Sequence, residues 1–135
     1  MGLHTTNVQK AIFSTLSGDS SLDSLIGNNK ILDDVPQGTD YPYVQIGEET
    51  TIDAGLKDKE AQEYTLTIHI WSRYRGNKET KEIAERIYTL LHNGAISVTG
   101  ASLANIRNEF FTVLIDDDGL TRHGVMRFRA IVFDT

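Results

Sequence analysis

Polar and apolar residues alternate from Glu63 to Ser72, and after Lys78 the period changes from two to that of a helix. Tyr64, Leu66, Ile68 and Ile70 fall on one face of a strand, because strand side chains point alternately to opposite sides. Beyond a turn at Arg75-Gly76-Asn77, Ile83, Ile87, Leu90 and Leu91 recur at i, i+4, i+7 and i+8, and so form one stripe of a helix over about 78–92. An apolar strand face followed by an apolar helix stripe predicts a packed pair.

The same patterns extend along the chain. Val8, Ala11, Ile12, Thr15 and Leu16 predict a first helix, with Thr5 or Thr6 as its N-cap and Gly18 as its stop. Ser20 to Ile26 predicts a short second helix ended by Gly27-Asn28-Asn29, and Ile31 to Val35 a short extended piece before the turn-rich loop PQGTDYP. Strands are predicted over 43–50 and 61–73, joined by an acidic hairpin arm or long loop, Glu48 to Gln62, whose only bases are Lys57 and Lys59. His92-Asn93-Gly94 ends the later helix, and a short strand over 95–98 follows. Asn105–Ile115 and Thr121–Phe133 then read as a hairpin closed at Asp116-Asp117-Asp118-Gly119.

In the last strand Met126, Phe128, Ala130 and Val132 face one way and Arg127 and Arg129 the other. The run Phe110–Ile115 is apolar on both faces and asks for cover on both, from a helix or a partner subunit. The expected core is Val8, Ile12, Leu16, Leu66, Ile68, Ile70, Ile83, Ile87, Leu90, Phe128 and Val132.

Composition narrows the function classes. A chain of 135 residues is one domain's length. Its net charge of -6 argues against gripping nucleic acid through phosphates, though not against a wall that DNA slides past. There is no cysteine, hence no disulfide framework or thiolate metal site. The first residues lack the pattern of a signal peptide, and no stretch is apolar for long enough to span a membrane; the chain reads as soluble and intracellular when made.

Candidate chemistry is sparse. His4, His69, His92 and His123 lie on different predicted elements without ligand spacing, so surface roles are expected; His69 and Trp71, opposite the core face, are read as interface residues. The consecutive acids of Asp116–Asp118 do not have the alternate spacing of a calcium loop, and Asp-Gly is itself a hairpin signal. No nucleophile elbow, phosphate loop or catalytic carboxylate pair occurs, so neither an enzyme nor a cofactor is expected.

Three stretches, in order, resemble one family. They are LDSLIG with YPYVQIGEET, then LTIHIWSRYRGNKETKEIAERIYTLLH, then DDDGLTRHGVMRFRAIVFDT. Together they are similar to the tail-completion (tail-terminator, head–tail joining) proteins of long-tailed phages and gene transfer agents. The resemblance implies an α/β (α+β) single domain, with helices packed on one face of a mixed or mostly antiparallel sheet and a long hairpin arm.

It also implies a structural virion protein of the tail or neck, present in the host cytoplasm before assembly. Such a protein forms a homo-oligomeric ring, commonly a hexamer, at the head-proximal end of the tail tube. The ring ends tube growth, meets a tube protein and a head-side connector or stopper protein, and lets DNA pass without specific binding. The surfaces expected to meet a neighbouring subunit or the tube are Glu48, Glu49, Thr51, Ile52, Asp53, Leu56, Lys57, Lys59, Trp71, Phe111, Arg127 and Arg129. Glu48, Glu49, Asp53, Asp116, Asp117 and Asp118 are the expected lumen-facing acids, with Arg127 and Arg129 away from the lumen and paired across a subunit boundary. A small ferredoxin-like ligand-binding or regulatory domain is the alternative of a different class; it would need a pocket with converging polar groups.

Overall fold

The computed structural model describes residues 3–134. Two helices, α1 (Thr5–Ser17) and α2 (Ser20–Ile26), lead into β1 (Ile31–Leu32), β2 (Tyr43–Asp53) and β3 (Ala61–Ser72). Helix α3 (Lys78–Leu91) follows, then β4 (Ser97–Val98), β5 (Ala101–Ile115) and β6 (Arg122–Asp134). The six strands form one sheet in the order β1-β2-β3-β6-β5-β4. Only the β1–β2 contact is parallel; the other pairings are antiparallel. This is the expected α+β domain with a mixed, mostly antiparallel sheet.

Strand β3 is the centre of the architecture. It pairs with β6 from Ala61↔Phe133 to Ser72↔Arg122, and its burial alternates without a break from Tyr64 to Ser72. Tyr64, Leu66, Ile68 and Ile70 join Met126, Phe128, Ala130 and Val132 in one buried layer, against Val8, Ile12 and Leu16 of α1 and Ile83, Ile87 and Leu91 of α3. The Tyr64 hydroxyl is satisfied inside this layer, accepting from His4 N at 2.9 Å and donating to Gln62 Oε1 at 2.8 Å.

All three helices contribute to that layer, so they cover one face of the sheet. Of the expected core, only Leu90 is not buried. Leu91 takes the inward position, and Leu90 sits half-covered at the stripe's edge.

Two tight fits hold helix to sheet. Gly124 of β6 lies under the first turn of α3, where a Cβ would come within 2.7 Å of Thr80 Cγ2 and 3.3 Å of Ile70 Cβ. At the strand–helix corner the buried Ser72 hydroxyl donates to Glu79 Oε1 at 2.6 Å and accepts from Tyr74 N at 3.1 Å. Asp19 caps α2 through Leu22 N and also receives Nε and an Nη of Arg86 at 2.8 and 2.6 Å, tying α2 to α3.

Three expectations need correction. Helix α1 starts one residue after His4 with no side-chain cap, so neither Thr5 nor Thr6 is its N-cap. Strand β5 begins at Ala101 rather than Asn105, because a bulge between Leu103 and Asn105 interrupts the alternation that marks a strand in sequence.

The third concerns the acidic arm, which is neither a long loop nor a projection from residue 48 onward. Strand β2 runs on to Asp53 inside the sheet, and only Ala54–Glu60 form the hairpin end, closed by a Leu56↔Lys59 bridge. The β-branched run Thr50-Thr51-Ile52 favours a strand despite its acidic neighbours.

Candidate subunit interface

The face of the sheet away from the helices has no cover among the described residues. Its chemistry follows from register. Tyr43 pairs with Trp71, Trp71 with His123, and His123 with Leu114, so one row of side chains crosses all four long strands. Trp71 stacks on His123, with centroids 3.8 Å apart and planes 9° from parallel, and Tyr43 lies 6.5 Å from Trp71 on the other side. Such stacks add modest stability beyond burial and give a flat, rigid patch.

His69 sits one row along. Its Nδ1 lies 2.6 Å from His123 Nε2, and its Nε2 lies 2.6 Å from Glu48 Oε1. A carboxylate can only accept, so Nε2–H of His69 donates to Glu48; in a neutral His69 the Nδ1 then accepts, and His123 supplies the proton between the rings. The hydrogen bond from His69 holds Glu48 below the usual carboxylate range, while burial, then His69, pushes the His123 imidazole down. Gly47 makes room for this cluster: a Cβ there would come within 2.5 Å of the His69 ring. Sequence spacing did not show that two histidines on separate strands meet. Only the β3–β6 register brings them together, and no group of three or more candidate ligands forms a metal site among the described residues.

A bulge between Ile46 and Glu49 divides the expected arm residues between two faces. Glu49 and Thr51 pair with the buried Leu66 and Tyr64 and so lie on the helix side, where burial raises the Glu49 carboxyl's pKa. Ile52 lies on the open side, 55% exposed, and Leu56 at the hairpin end is 75% exposed. Asp53, Lys57 and Lys59 are exposed near or at that end, where Asp53 Oδ1 accepts from Gly55 N and Lys59 lies over the Phe133 ring.

The second hairpin carries the largest apolar exposure. Phe110, Leu114, Ile115 and Leu120 are 41–61% exposed, whereas Phe111 packs against the core beside α3. The apolar run thus has cover on one side only. Arg127 lies over the Phe110 ring. Within its own chain Arg129 reaches Glu109 at 3.5 Å and Glu63 at 3.8 Å.

Asp118 is a turn residue: it accepts from Leu120 N, Thr121 N and the Thr121 hydroxyl, bonds that bring its pKa down to about 2. Asp116 and Asp117 are exposed beside it. The expected lumen acids therefore fall in two groups, on β2 and at the β5–β6 turn, with β3 between β2 and β6 in the sheet.

The described helices include none long and apolar enough to cross a membrane. The chain is 24% identical over 125 residues to the tail completion protein gp17 of Bacillus phage SPP1, covering 93% of this chain and 91% of the relative. Its fold matches a chain in the virion of a native gene transfer agent particle, with a TM-score of 0.90, 22% identity and coverage of 98% and 99% of the two chains. A second solved chain matches at a TM-score of 0.60 and 13% identity, covering 99% of this chain and 98% of its own. Residues 10–132 match the family model described as tail completion protein gp17, and the chain belongs to that family of structural virion proteins.

Proposed function

We propose that this chain forms a ring, of six copies by the family resemblance, on the head-proximal end of a tail tube. There it stops tube polymerisation and joins the tail to the head-side connector. The observation that carries this reading is the family match over residues 10–132. The open sheet face and the exposed apolar residues of the β5–β6 hairpin support it, because a lone domain gains nothing from leaving them bare.

The ring's passage carries DNA without holding it. A net charge of -6 favours a repelling wall over a sticky one; Glu48, Asp53 and Asp116–Asp118 are the acids proposed to line it, while Glu49 is turned to the helix side. The salt bridges of Arg129 with Glu63 and Glu109 reduce the charge it offers to passing phosphates.

Deleting the gene in a particle-producing strain tests the reading by electron microscopy. Overlong or ragged tails that remain unjoined to filled heads are expected. Normal tailed particles without this chain would overturn it.

A further inference from the structure

The sheet ends in two unfinished edges, and they match. Beside β2, strand β1 pairs only with Val44 and Gln45, which leaves the outer edge of β2 open from Ile46 to Asp53. Beside β5, strand β4 pairs only with Ala101 and Ser102. The C-terminal end of α3 then caps part of β5: Asn93 N donates to Ile106 O at 2.8 Å, and Asn108 N donates to His92 Nδ1 at 3.0 Å. From Glu109 to Ile115 no strand or loop covers the edge among the described residues. A free edge of this length, with Phe110, Leu114 and Ile115 exposed along it, is what soluble proteins normally blunt.

We propose that the β5 edge of one copy adds as a strand to the β2 edge of the next, and that this contact is the subunit joint of the ring. The inference rests on the ring reading above and specifies its joint. Three observations fit it. The four long strands β2, β3, β6 and β5 alternate in direction, so a rotation about a ring axis brings β5 against the neighbouring β2 in antiparallel fashion. The two edges are different surfaces, which makes the contact head-to-tail and able to close.

Side-chain faces also agree. Thr50 and Ile52 lie on the open face of β2, and Thr112 and Phe110 on the open face of β5, as their partners Thr65, Glu63, Val125 and Arg127 show. The register that sets Thr112 beside Thr50 sets Phe110 beside Ile52, so two exposed apolar residues on different edges cover each other.

The edges are staggered, because Thr112 lies in the same row as Gln45 of its own chain. Joining it to Thr50 shifts each copy by about 13 Å along the strands for about 19 Å of sheet width. Strands tilted about 35° from the ring axis absorb that shift, within the range in which sheets close.

The absence of cysteine makes the test clean. Thr50→Cys, Thr112→Cys and the double variant are oxidised as concentrated full-length protein and in particles assembled with them, after circular dichroism has confirmed folding. The double variant should give a ladder of disulfide-linked multimers, roughly tenfold above either single variant, because only paired strands hold Cα atoms within disulfide range.

A disulfide dimer from Thr112→Cys alone would mean that two β5 edges pair with each other, which overturns the proposal. Rings without the ladder would overturn the joint and leave the ring reading standing. Neither rings nor ladder would overturn both. As a second probe, Ile52→Lys at its exposed position should lower assembly at least tenfold without a change in fold; unchanged assembly would also count against the joint.

Discussion

Trp71 lies flat on His123 in the middle of the uncovered sheet face, 3.8 Å between ring centroids. The His69 ring lies 4.9 Å from that of His123, centroid to centroid, and passes a hydrogen bond to Glu48. Since His123 takes a proton less readily folded than unfolded, acidification favours the unfolded chain.

Above the ordinary imidazole value of 6.5 both states are neutral at this position and it has no effect. Between that value and the lowered folded one, only the unfolded chain binds the proton, and stability falls. His69, Glu48 and Asp116 are the charged or titratable neighbours, and the two acids moderate the loss. His123→Phe should therefore flatten the decline of Tm between pH 7 and pH 5.5, measured by the fluorescence of the chain's single tryptophan. An equally steep decline in the variant would remove His123 as the cause.

The sequence made the elements legible and the faces nearly so. Alternation in β3 and β6 placed Tyr64–Ile70 and Met126–Val132 on their correct faces, because a strand buried on one face has no freedom to drift. The bulge at Gly47-Glu48 was not legible, since an extra residue leaves composition unchanged while reversing every side chain after it. The histidine stack was hidden for another reason: a contact between residues 54 positions apart depends on register, and register is a property of the pair of strands.

The edge of the α3 stripe gives a direct comparison. Leu91 is fully buried and Leu90 only partly. Leu91→Ala should cost about 2–5 kcal/mol in denaturant unfolding, and Leu90→Ala roughly half of that or less. The reverse order would show that the helix is rotated by a residue.

Gly124 is required by space rather than by backbone conformation. Gly124→Ala should destabilise by about 1–3 kcal/mol, as overpacking does. Adding Thr80→Ser, which removes the Cγ2 atom 2.7 Å from the new methyl, should restore part of the loss. Strict additivity of the two changes would mean that the methyl is accommodated elsewhere.

The hairpin end beyond Asp53 contributes little to its own core, since Ala54 to Glu60 are exposed or half-exposed. Replacing Gly55–Glu60 with Asn-Gly keeps a two-residue turn between Ala54 and Ala61. Thermal melting should change little, whereas tail capping in particles should fail. Tails of normal length and attachment would show that this end serves only as a turn.

The extra residue at Gly47-Glu48 acts as a phase inverter for everything downstream on β2. Ahead of it the even-numbered residues Val44 and Ile46 point into the core; behind it Ile52 is turned outward and Glu49 inward. Removing one backbone unit there would exchange the two faces of the strand's second half without altering any other side chain. A shared surface can thus be gained or lost by a change in chain length, with every contact-forming residue still present.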